Sequence, residues 1–73
     1  MTIETMREFY EARPFRPFTL HLADGRNVTV QHPEFMAYHP EGGTLVVFQP
    51  GGALKILDVN LITEIETLSQ PRG

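Results

Sequence analysis

From Phe18 onward the chain is cut by Gly-containing turns at Asp24-Gly25, Glu41-Gly42-Gly43 and Pro50-Gly51-Gly52. The segments between them do not keep a 3.6-residue apolar repeat, so this region has to be built from short strands. Phe18, Leu20 and Leu22 alternate with Thr19, His21 and Ala23, which is the two-residue period of a half-buried strand. Asp24-Gly25 predicts a tight primed hairpin turn, because glycine tolerates the positive φ such a turn needs. The return strand carries Val28 and Val30 inward and Asn27, Thr29 and Gln31 outward. His32-Pro33-Glu34 then interrupts the alternation, since Pro33 has no N–H for a ladder, and predicts a bend inside one long second strand.

Leu45-Val46-Val47-Phe48 is apolar at every position and therefore presents large side chains on both faces of its strand. A domain of 73 residues has little mass with which to cover both. One face is expected to meet the N-terminal helix or another copy of the chain. Leu54, Ile56 and Leu57 mark a fourth strand, and a final one follows the short Asp58-Val59-Asn60 connection, with Glu64 and Glu66 on its solvent face and Thr63, Ile65 and Thr67 on the other.

Ahead of the strands, Ile3, Met6, Phe9 and Tyr10 form an apolar stripe at helical spacing, Thr2 is placed to cap it, and Pro14 and Pro17 end it. A helix over residues 3–12 is too short to persist in water without packing on something else. The expected fold is mainly β: one domain over residues 1–68, with this helix followed by a strongly bent five-stranded antiparallel barrel. Its strands are placed near 18–23, 26–38, 44–49, 53–58 and 61–68, with a disordered tail at 69–73.

Composition narrows the function. The chain has no Cys, which removes disulfides, thiolate metal sites and Cys/His catalysis, and its one Ser is Ser69 in the tail. The domain is too small to enclose a substrate cavity, so a non-enzymatic role without cofactor is expected. A net charge of −3 is the wrong sign for general phosphate binding. The acidic N-terminal segment and the lack of a long apolar run argue against membrane association and place the chain in the cytoplasm.

The helix with Ile3, Met6 and Phe9, the Phe18-Thr19-Leu20-His21-Leu22-Ala23-Asp24-Gly25 strand and turn, the bent second strand and the break before Leu61-Ile62-Thr63-Glu64-Ile65 together resemble the Sm-like, or Lsm, proteins and their SH3-like barrels. That resemblance implies rings of subunits joined through strands 54–57 and 62–65, and single-stranded RNA as a ligand. Asp58 and Asn60 in the last turn offer hydrogen-bonding groups for RNA but no basic residue. The chain is also similar to short bacterial proteins of no assigned activity, through Arg13-Pro14-Phe15-Arg16-Pro17-Phe18, Ala23-Asp24-Gly25-Arg26 and His32-Pro33-Glu34-Phe35.

The leading expectation is a homo-oligomeric interaction module, partnered by itself or by another protein, with Leu45, Val46, Val47, Phe48, Leu54, Ile56, Ile62 and Ile65 at the interface. The alternative is an RNA binder using Arg13, Arg16 and Arg26 beside Phe15 and Phe18, together with Asp58 and Asn60. Its plain counterpart is that the two phenylalanines seal the barrel end while the arginines pair with nearby carboxylates. His32 and Glu34, with His21 across the hairpin, are weak metal candidates that lack a dedicated ligand spacing. The plain reading is that His32 and His39, each followed by proline, are turn residues.

Overall fold

A computed structural model describes residues 1–67; the expected tail at 69–73 lies outside the described residues. Helix α1 spans Ile3–Glu11. The Thr2 side chain accepts the backbone N–H of Thr5 at 3.3 Å, and Glu4 occupies the first turn, where the helix dipole favours an anion. The chain turns extended at Ala12, one residue earlier than the sequence predicts.

Six strands follow: β1 Phe18–Leu22, β2 Asn27–Val30, β3 Met36–Tyr38, β4 Thr44–Phe48, β5 Leu54–Asp58 and β6 Ile62–Thr67. They form two three-stranded antiparallel sheets, ordered β2-β1-β6 and β3-β4-β5. The expected strongly bent five-stranded barrel is therefore corrected, among the described residues, to six strands in two sheets. Pro33 explains the extra strand: a 3₁₀ turn over Pro33–Phe35, with Phe35 N–H donating to the His32 carbonyl at 3.0 Å, ends one ladder before the next begins. The second passage between sheets is also a single 3₁₀ turn, Val59–Leu61. It is held to the hairpin turns of both sheets, because Val59 N–H donates to Gly43 O at 2.9 Å and Ala23 N–H donates to Leu61 O at 2.8 Å.

The first hairpin departs from the expected primed turn. Gly25 N–H donates to Leu22 O and Leu22 N–H to Arg26 O, and only Gly25, at φ 92°, is left-handed. Asp24 keeps a negative φ, which a type I′ turn does not allow at its first central position, so the loop is an ordinary turn closed by a glycine bulge.

Phe18, Leu20, Leu22, Val28 and Val30 of one sheet meet Met36, Leu45, Val47 and Leu57 of the other, with Val59 and Ile62 at the corner. Met6 is the fully buried residue of α1. The helix bridges both sheets: Phe9 packs edge-on to Phe18 at 6.3 Å, Tyr10 packs edge-on to Tyr38 at 5.5 Å, and Tyr10 Oη donates to the Met36 carbonyl at 3.3 Å. These partners all stand on the inward faces, so α1 covers the core and not the outer face of β4.

Strand β6 breaks its own alternation. Leu20 pairs with Ile65 and His21 with Glu64, but Leu22 pairs with Ile62, which leaves Thr63 as the extra residue of a bulge. Ile62 and Ile65 therefore both face inward although three apart, and Thr63, expected on their side, is exposed and donates its hydroxyl to the His21 carbonyl at 3.2 Å.

Candidate interaction surface

Strand geometry divides the apolar run of β4 between two environments. Leu45 and Val47 are fully buried in the core, while Val46 is half-buried on the outer face and Phe48 is exposed beside it. Across the ladder Val46 pairs with Ala37 on one side and Ile56 on the other, and Phe48 pairs with Leu54. Ile56 is 67% exposed and Leu54 50%. The outer face of this sheet thus carries an apolar band of Ala37, Val46, Phe48, Leu54 and Ile56, bounded on the same face by the pair Thr44 and Asp58. At one end Phe48 joins exposed Phe35 to wall a cleft of about 520 Å³, completed by Thr29, Gln31, Gln49 and Pro50.

An apolar patch of this kind on a small domain marks a contact surface more often than a plain exterior. Of the expected interface set, Leu45, Val47 and Ile62 are buried in the protomer's own core and Ile65 is half-buried against it. Val46, Phe48, Leu54 and Ile56 are the members left at the surface. Phe35 and Ala37 were missed, since the expected continuous second strand gave no reason to place them beside Phe48.

Of the three candidate arginines, Arg13 and Arg16 line one cleft and Arg26 lies elsewhere. Arg13 turns back on the helix end, donating to the Tyr10 and Ala12 carbonyls at 3.1 and 2.7 Å, where a cation offsets the negative pole of the dipole. Arg16 is exposed and, with Arg13, Phe9 and Thr67, lines a second cleft of about 450 Å³. Arg26 lies at the far end of the β1–β2 hairpin, where its Nε donates to Asp24 at 2.7 Å and its backbone N–H donates to the other carboxylate oxygen at 3.0 Å. That backbone N–H is the main cause holding the Asp24 carboxyl below its ordinary value, with the guanidinium adding to it. Asp58 caps the second corner by accepting Asn60 N–H at 2.9 Å, so this pair serves the turn.

The histidines are also placed apart. His32 packs edge-on to Phe35 at 5.3 Å, and His39 Nδ1 accepts the Glu41 backbone N–H at 3.1 Å inside the β3–β4 turn. His21 faces β6, where its Nε2 lies 2.8 Å from Glu66 and Glu64 is its neighbour. The structure groups His21 with these two exposed carboxylates and not with His32 and Glu34. Among the described residues no helix is long and apolar enough to cross a membrane.

Comparison with protein-family models, with curated proteins and with solved structures gives no match.

Proposed function

We propose that this chain is a non-enzymatic, homo-oligomeric interaction module of the Sm-like or SH3-like small-barrel kind. The observation that carries the reading is the apolar outer band of β4 and β5, with Phe48, Leu54 and Ile56 left largely in solvent on a small domain. The barrel comparison is supported by strand order: β2 and β3 are consecutive but sit in different sheets, and the last strand returns to β1. A non-enzymatic role is favoured in that His39, Asp58 and Asp24 are engaged in turns and caps.

Sedimentation of the wild type beside Phe48→Ser tests the reading. A self-assembling module loses association on removal of that ring and keeps it in high salt, because apolar burial is not screened. A second reading, single-stranded RNA binding, is favoured by the cleft that sets Arg16 beside Phe9. It predicts binding of an RNA oligonucleotide that weakens with salt and is lost in Arg16→Ala.

A further inference from the structure

Among the described residues each sheet ends in two edges with no further strand beside them, and three of the four are protected in the ways natural edges usually are. Strand β2 has four residues and is followed closely by Pro33. Strand β3 has three residues, between a 3₁₀ turn and the Pro40 turn. Strand β6 is bulged at Thr63 and carries Glu64 and Glu66. Strand β5 carries charge too, at Lys55 and Asp58, but differs in offering five residues in unbroken register with β4, without proline or bulge.

The ladder also shows which way its backbone groups point. Gln49 N–H donates to Ala53 O and Val59 N–H donates to Gly43 O, on the same register that pairs Phe48 with Leu54. Hydrogen-bonded pairs alternate along an antiparallel ladder, so they fall at Val47/Lys55 and Leu45/Leu57. The N–H and C=O groups of Leu54 and Ile56 therefore point away from β4, toward the open edge, on the two residues whose side chains are the most exposed of the apolar band.

We infer, on the self-assembly reading above, that β5 pairs antiparallel with β5 of a second copy across a twofold axis at Ile56. The pairing satisfies the outward groups of Ile56 with those of its own counterpart. It sets Leu54 opposite Asp58 and Lys55 opposite Leu57, so no like charges stand directly opposite one another, and the two Lys55 side chains are diagonal neighbours. The row Ala37, Val46, Ile56 then continues into the same row of the second copy, and two three-stranded sheets become one six-stranded sheet with a doubled apolar face. Pairing β5 with β6 instead would place a regular edge against a bulged one.

The absence of cysteine allows a direct test. Ile56→Cys, at an exposed position, is treated with a short thiol-to-thiol crosslinker, and Leu54→Cys and Asp58→Cys are treated separately and mixed. The twofold pairing gives a covalent dimer from Ile56→Cys alone, and from the mixture a crosslink joining the two different variants. An oligomeric wild type whose Ile56→Cys form does not crosslink to itself overturns the β5 pairing and leaves self-assembly standing. A wild type that is monomeric at all concentrations overturns both. As a further check, Ile56→Lys is expected to halve the mass of the dimer while its circular dichroism is unchanged; an undiminished mass contradicts the proposal.

Discussion

Ile56 stands directly opposite Val46 on the outer face of the β4–β5 ladder, while its chain neighbour Leu57 stands opposite Leu45 in the core. Two adjacent apolar residues on one strand thus have opposite roles, and substitutions separate them. Leu57→Ala is expected to cost about 2–5 kcal/mol in denaturant unfolding, the range for truncating a buried leucine. Ile56→Ala is expected to stay within about 0.5 kcal/mol for the protomer, because its side chain is mostly in solvent. Equal losses at the two positions would contradict the facing.

The bulge at Thr63 makes a second contrast. Simple alternation would put Thr63 inside and Ile62 outside, whereas the register buries Ile62 and exposes Thr63. Ile62→Ala should therefore destabilise by about 2–5 kcal/mol. Thr63→Ala, which removes one exposed hydrogen bond to the His21 carbonyl, should cost no more than about 1 kcal/mol. Thermal or urea unfolding of both variants decides the order.

What could be read from the sequence and what could not follow from the range of the forces involved. The helix, the turn positions and the inward set Phe18, Leu20, Val28 and Val30 were legible because capping, glycine and alternation act over a few residues. The split at Pro33 was legible as a bend, but not as the end of a ladder, because that depends on which strands pair on either side. The inward facing of Ile62 was hidden, since a bulge is set by the partner strand. Of the candidate surface, Val46, Phe48, Leu54 and Ile56 could be named in advance, yet the separation from Leu45 and Val47 needed the sheet's faces. Arg13 and Arg16 do share a cleft, but the hairpin carries Arg26 to the far end from Arg16.

Gly42 ties the helix to the β3–β4 turn. It has φ 89°, and a methyl group built on it would lie 3.3 Å from Ile3 Cγ2, whereas the equivalent space at Gly25 is open. Both Gly→Ala changes are strained by the positive φ and should cost about 1 kcal/mol or more. Gly42→Ala should cost the more of the two and loosen α1, seen as faster hydrogen exchange in residues 3–11. A larger loss in Gly25→Ala would contradict the docking of Ile3 against this turn.

Acid sensitivity should map in part to the first hairpin. The folded Asp24 carboxyl lies below its ordinary value of 3.8, so its contribution is present above that value and is lost as pH falls through the lower folded one. Asp24→Asn should therefore flatten the acid limb of the stability curve while leaving the shape near neutrality unchanged. An unchanged acid limb in the variant would show that the Arg26 contacts do not favour the carboxylate.

The proposed self-assembly runs through the β4–β5 sheet, with Ile56 at the seam between two copies of the chain. Absolute mass from light scattering, measured during gel filtration over a range of protein concentrations, tests it most directly. The wild type is expected at a whole multiple of 8.3 kDa, with two copies as the unit, and Ile56→Lys at the mass of a single chain. A mass of one chain at every concentration would contradict it.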